Sequence, residues 1–238
     1  MISASLLAAA IAFAIGGIPF GYLTGRLVLK DDIRRHGSGN TGATNVARTL
    51  GWKWGVAVLL LDALKGVLAV LIAPVAAAQT GPDAPATLLP VVSGIAAILG
   101  HMYPVWLSLR GGKGVATALG VVVVLTPLPS LIATGAFALS FAFSRIVSLS
   151  SIVASVAFAA GYFSLTGAAG LQTSEMPTTV FALLIPAMIT WKHRSNISRL
   201  LAGTEGRFRA AGSDANQPDP AGRVPSVEEH NSPKQTPE

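Results

Sequence analysis

Four short segments of this chain carry side chains suited to holding anions. The first, Gly37-Ser38-Gly39-Asn40-Thr41-Gly42-Ala43-Thr44-Asn45-Val46-Ala47-Arg48, mixes glycines, small hydroxyls and amides and ends in a guanidinium. Glycines let main-chain N–H groups approach a phosphate closely, Ser38, Asn40, Thr41 and Asn45 add hydrogen-bonding groups, and Arg48 supplies a bidentate charge. The second, Arg110-Gly111-Gly112-Lys113-Gly114-Val115-Ala116-Thr117, opens an apolar run, where the free N–H groups of a helix start and Lys113 can share an anion. It is not a Walker A loop, because Leu107 stands where the first glycine belongs and Gly114 replaces the magnesium-holding hydroxyl. The third is Arg145 with Ser148-Leu149-Ser150-Ser151, and the fourth runs from Lys192-His193-Arg194-Ser195-Asn196 through Arg199 to Gly203-Thr204-Glu205. Each also has a structural reading, as a polar turn, a cationic interhelical loop or a helix cap, which is hardest to sustain for the dozen residues of the first. Four such segments at one membrane surface can instead share a pocket.

Other chemistries are excluded or disfavoured. The chain has no cysteine, so it has no thioester intermediate, disulfide or thiolate metal site. Its four histidines, His36, His101, His193 and His230, are scattered and lack metal-ligand spacing, so neither a catalytic metal nor a cofactor is expected. Asp62 and Lys65 share a helix face and are expected to pair with each other or with another helix, while His101 is expected to pack or orient a helix.

The elements that must position these groups are membrane helices. The 238 residues are 51% hydrophobic and 12% charged, with a mean hydropathy of +0.58, too apolar for a soluble domain. Apolar runs fall at 4–29, 54–77, 88–107, 115–125, 131–143, 152–165 and 177–191, predicting an all-α, polytopic transmembrane bundle of about seven helices. The fourth and fifth runs are shorter than the ~20 residues that spanning requires, so 115–143 is expected to form a tilted or partly inserted hairpin around Pro127 and Pro129. The N-terminal run lacks the preceding positive charge of a secretory signal and reads as an uncleaved first helix. On that parity the basic residues collect on one side, and the loops 79–87 and 167–176 carry only Asp83 and Glu175, which places the N-terminus outside and the C-terminus in the cytoplasm. The net charge of +6 suits anionic lipid and anionic substrates better than nucleic acid. The expected division is a transmembrane domain over 1–206 and a disordered cytoplasmic tail over 207–238, where apolar residues give way to Pro, Ser, Asp and Glu.

The ordered set of motifs resembles the membrane-integral bacterial glycerol-3-phosphate acyltransferases that use acyl phosphate. The matching pieces are Gly37–Arg48 with Gly51, Asp62-x-x-Lys65-Gly66, Gly100-His101-x-x-Pro104, Gly111–Thr117, Ser148–Ser151, Lys192-His193-Arg194-x-Asn196 and Gly203-Thr204-Glu205, with Tyr103 where phenylalanine is expected. The resemblance implies transfer of a fatty acyl group from acyl phosphate to the 1-hydroxyl of sn-glycerol 3-phosphate, giving 1-acylglycerol 3-phosphate and phosphate, the first step of phospholipid synthesis. It implies a multi-pass protein of the bacterial inner membrane with its site facing the cytoplasm, and an upstream enzyme that forms acyl phosphate. Arg48 and Lys113 are then expected to hold the glycerol phosphate, and Ser38, Thr41, Gly112 and Ser150 or Ser151 to seat the acyl phosphate. His193 and Asn196 are expected to orient the hydroxyl, with Asn40 and Asn45 in the binding loop and Glu205 bracing a loop by pairing with a cation. The His-x-x-x-x-Asp pair of the acyl-CoA-type acyltransferases is absent. An anion transporter is the competing class, disfavoured because the polar groups gather at one end and no internal repeat is visible; a structural membrane protein would tolerate replacement of Ser38, Arg48, Lys113 and His193.

Overall fold

A computed structural model describes residues 2–77, 87–209 and 211, and among these the regular structure is entirely helical. Five segments are long and apolar enough to cross a bilayer: Leu6–Leu29, Trp52–Ile72, Leu88–Leu107, Pro127–Ser144 and Val147–Leu171. Two shorter apolar helices, Val115–Leu125 and Met176–Lys192, complete the expected seven. We label the helices α1 (Ile2–Gly16), α2 (Phe20–Thr24), α3 (Ala43–Leu50), α4 (Trp52–Ala77), α5 (Leu88–Met102), α6 (Val115–Leu125), α7 (Pro127–Ser144), α8 (Val147–Thr166), α9 (Met176–Lys192) and α10 (Arg194–Leu201).

Small residues let these helices touch backbone to backbone, as lipid-embedded packing requires. A Cβ on Gly16 would strike the Ala97 backbone and one on Gly100 the Phe13 carbonyl, which locks α1 against α5. Gly66 against Thr117 and Gly120 against Ala63 do the same for α4 and α6. Val70, Ile98, Met102, Val121, Phe158, Tyr162 and Phe181 fill the interior, whereas Leu60, Leu128, Leu131, Leu139, Phe143 and Leu183 face outward. That outward face suits hydrocarbon as solvent.

The structure departs from the sequence reading in three places. The first apolar run is broken, because Pro19 offers no N–H and cannot continue α1; the chain restarts as α2 and runs on through a π-helical turn, Gly25–Leu29. The break is sealed by side chains: Trp106 Nε1 donates to the Gly17 carbonyl at 2.6 Å and Lys65 Nζ to the Ile18 carbonyl at 2.9 Å. Lys65 also pairs with Asp62 at 2.7 Å, both side chains 2% exposed, so the expected ion pair is present and also bonds the broken helix. Second, Pro127 and Pro129 lie at the start of α7, where a missing N–H is harmless, so that helix reaches 18 residues while α6 has only 11. Third, the glycine-rich segment contains a helix of its own, α3.

The bundle has two distinct ends. At one, Thr87 Oγ1 donates to Ser174 O at 2.7 Å, joining the loops before α5 and α9. At the other end the four anion-type segments meet, through Lys113 to Asn196, Arg48 to Gly206 and Ser148 to Glu205. Of the tail expected from 207, Arg207, Phe208, Arg209 and Ala211 are described; the rest, like Asp83, lies outside the described residues.

Candidate active site

The first segment, Gly37–Arg48, is shaped around Asn45, which is 1% exposed. Its Oδ1 accepts from Ser38 N at 2.6 Å and from Ser38 Oγ at 3.2 Å. Its Nδ2 lies within donating distance of the carbonyls of Ile33, His36 and Asn40, at 3.1, 3.0 and 2.8 Å. Gly37 and Gly39 take left-handed φ values of +56° and +71°, a turn that a β-carbon would strain. Asn40 Oδ1 accepts from Gly42 N at 2.9 Å just before α3, the helix that carries Arg48. Asn40 and Asn45 thus spend amide groups on holding the loop that presents Ser38.

The second segment, Arg110–Thr117, is braced by α5. Gly112 N donates to His101 O at 3.1 Å and Gly111 N to Met102 O at 3.3 Å. Gly112 sits against the His101 imidazole, where a Cβ would strike the ring, and Gly114, at φ +82°, leads into α6. His101 Nδ1 is in turn 3.5 Å from Asp62. Between these supports Lys113 reaches out, its Nζ donating to Asn196 Oδ1 at 2.5 Å.

Asn196, on α10, passes the connection to Glu205 by donating from Nδ2 at 2.6 Å. Glu205 also accepts from Ser148 Oγ at 2.6 Å and Arg199 Nε at 2.7 Å. Burial pushes the Glu205 carboxyl up, but the hydrogen bonds from Ser148, Asn196 and Arg199 outweigh it and hold the group below its usual range. Burial lowers the Lys113 ammonium to about 8, against the pull of Glu205. His193, 2% exposed, donates from Nδ1 to Ile189 O at 2.8 Å, which leaves Nε2 as the acceptor of a neutral ring. Burial, then the nearby Lys113 charge, brings that imidazole down to about 4.

These groups border a cavity of about 1220 Å³. Ser38, Arg48, Lys113, His193, Asn196 and Glu205 form its polar end; Leu119, Val122, Ala133, Phe137, Phe141 and Phe158, from α6, α7 and α8, are among its apolar walls. Of the remaining sequence candidates, Asn40, Asn45 and Ser151 also reach the cavity wall. Three do not line it. Thr41 turns to a small cleft beside Asp62, Lys65 and His101; Gly112 is pressed on His101; Ser150, wholly buried, bonds back to Ile146 O at 2.9 Å. The sequence reading did not place Ser148 or Glu205 in the site; both sit inside segments it singled out, but only the fold shows that they meet. Among the described residues no three His, Cys, Asp or Glu side chains converge as a metal site.

Fold and cavity together define an integral membrane protein with a cationic, amide-lined pocket that continues into an apolar corridor. The chain belongs to the glycerol-3-phosphate acyltransferase family, whose model matches residues 6–203. The protein of that description from Myxococcus xanthus (strain DK1622) is 48% identical over 198 residues, 83% of this chain and 96% of that one. One from Gloeobacter violaceus is 44% identical over 196 residues, 82% of this chain and 91% of its own length. The crystal structure of PlsY (YgiH), an integral membrane glycerol 3-phosphate acyltransferase, in its glycerol 3-phosphate form, superposes with a TM-score of 0.75 at 40% identity, covering 86% of this chain and 96% of that chain. Its lysophosphatidic acid form gives 0.72.

Proposed function

We propose that this protein transfers a fatty acyl group from acyl phosphate to the 1-hydroxyl of sn-glycerol 3-phosphate, releasing 1-acylglycerol 3-phosphate and inorganic phosphate. The observation that carries this reading is the two-part cavity, in which a polar end bearing Arg48, Lys113 and Ser38 is continuous with apolar walls from α6, α7 and α8. The related PlsY structures, in glycerol 3-phosphate and lysophosphatidic acid forms, support the acceptor and the product.

In this reading Arg48 and Lys113 neutralise the acceptor phosphate, and the Ser38 hydroxyl with its glycine loop cradles the phosphate of the donor. The acceptor hydroxyl oxygen attacks the acyl carbon, the C–O bond to phosphate breaks, and phosphate leaves with the electron pair. Such a leaving group needs charge neutralisation and alignment rather than a covalent enzyme intermediate. His193 Nε2 accepts the hydroxyl's hydrogen bond and aims it, with Asn196 held beside it by Lys113 and Glu205. An imidazole of pKa about 4 is a weaker base than a phosphate monoester dianion, of pKa about 6, so His193 orients the attack and the acceptor's own phosphate is the better proton sink. Sided by its basic loops, the site faces the cytoplasm of a bacterial inner membrane, with the N-terminus outside. There an upstream enzyme supplies acyl phosphate.

The test is product formation by detergent-purified protein from palmitoyl phosphate and labelled glycerol 3-phosphate. Acylglycerol phosphate from this donor but not from palmitoyl-CoA, abolished in a folded Lys113→Ala variant, is expected; turnover of the thioester alone would refute the donor assignment.

A further inference from the structure

The chain beyond α10 turns back across the site, in a segment that begins where the family match ends at residue 203. Gly203, at φ +69°, ends the helix in a left-handed turn, and Thr204 N donates to Arg199 O at 2.8 Å. The following residues are then fastened to three different parts of the molecule. Glu205 is gripped by Ser148, Asn196 and Arg199, and Gly206 O accepts from Arg48 Nη2 at 3.3 Å. Phe208 N donates to Arg145 O, between α7 and α8, at 2.6 Å, and Ala211 N to Ala47 O on α3 at 3.2 Å.

Only one bulky apolar side chain of this segment is turned inward. Arg207 and Arg209 are exposed, whereas the Phe208 ring meets Phe141 edge-on at 6.0 Å, and Phe141 stacks on Phe137 at 6.0 Å. All three rings border the large cavity. Phe208 is therefore the last rung of an aromatic ladder that climbs α7 toward the polar end, two residues beyond the glycine that Arg48 holds.

We propose that residues 204–209 form a strap and that Phe208 is a specificity-determining wall of the acyl corridor, contacting the part of the donor chain nearest the reacting carbonyl. The inference rests on the acyl-donor reading of the cavity. Its physical logic is that the corridor must meet a phosphate-binding surface, where transmembrane helices end and apolar wall is scarce. A backbone latched by its own hydrogen bonds can carry an aromatic ring into that gap at little entropic cost.

The test compares the full-length protein with Phe208→Ala and Phe208→Leu, measuring KM for palmitoyl phosphate and for glycerol 3-phosphate, with thermal unfolding as the folding control. Phe208→Ala is expected to raise the donor KM about tenfold, the usual scale for losing a few carbon contacts in an apolar pocket. The acceptor KM should stay unchanged, and Phe208→Leu should recover most of the loss. Combination with Phe141→Ala should be less than additive, since the two rings share one contact. An unchanged donor KM, or equal rises in both KM values, overturns the proposal. If wild-type protein turns over palmitoyl-CoA and not palmitoyl phosphate, the donor assignment falls; the same KM comparison made with the thioester then decides the role of Phe208.

Discussion

Activity measured against pH tests the charge state that the fold imposes on Lys113. Burial leaves this ammonium at about 8 and the His193 imidazole at about 4, so between those values the site holds a charged lysine beside a neutral histidine. Above about pH 8 the free enzyme loses the lysine proton, leaving about one tenth of molecules protonated a unit higher and about one hundredth two units higher. The kcat/KM for glycerol 3-phosphate should thus fall about tenfold per unit along its alkaline limb. A bound phosphate dianion favours the ammonium, so the limb in kcat, which reports the loaded enzyme, lies further to the alkaline side. On the acid side, protonation of the acceptor phosphate near pH 6 sets in before His193 titrates. Replacing Lys113 by arginine puts in a guanidinium that stays charged far beyond this range, so the alkaline limb should vanish even though the planar fork lowers absolute activity. The assay is initial rate with saturating palmitoyl phosphate and labelled glycerol 3-phosphate, from pH 5 to 10 at constant ionic strength. An alkaline limb that survives in Lys113→Arg at its wild-type position shows that Lys113 is not the group that titrates there.

Glu205→Gln leaves one carboxamide oxygen where two carboxylate oxygens accept from Ser148, Asn196 and Arg199, so at least one donor loses its partner. The expected loss is ~1–3 kcal/mol of transition-state stabilisation, about fivefold to 150-fold in kcat/KM, read from steady-state kinetics. Lys65→Met strands Asp62 and takes the donor from the Ile18 carbonyl, and should cost ~3–5 kcal/mol, seen as a large fall in thermal midpoint in detergent. Stability should also fall with acid through His193: its folded pKa of about 4 lies below the usual 6.5, so the unfolded chain binds more protons between these values. Folding is favoured fully above about pH 6.5, and that contribution is lost as pH drops toward 4; a His193→Asn variant should show a shallower decline of thermal midpoint across this window.

Periodicity and charge carried the sequence reading a long way, and for a physical reason. A helix in hydrocarbon must satisfy its backbone internally, so the spans are written as unbroken apolar runs, and the anion-binding groups are left to the segments between them. Ser38, Arg48, Lys113, His193 and Asn196 could therefore be named before any fold was known, and they do border one cavity. Local chemistry also foretold the partnership of Asp62 with Lys65, three residues apart on one helix face.

What the sequence left open depended on contacts between distant residues. Apolarity alone does not show that Pro19 breaks the first helix, since that break is stable only because Lys65 and Trp106, from elsewhere in the chain, supply donors to its carbonyls. Nor does a Gly-Gly-Lys-Gly reveal that Gly112 needs its missing side chain to lie on His101, or a Gly-Thr-Glu that a carboxylate expected to pair with a cation, as it does with Arg199, also takes Ser148 and Asn196. Asn45, read as a substrate ligand, has its amide drawn into the loop by five nearby backbone and side-chain groups. Composition determined the solvent of this protein and the charge of its loops, because both follow from residue type summed along the chain. Which loop groups face the cavity and which hold the loop together was decided by the tertiary structure, because a hydrogen-bonding group is committed by whichever partner packing brings to it first.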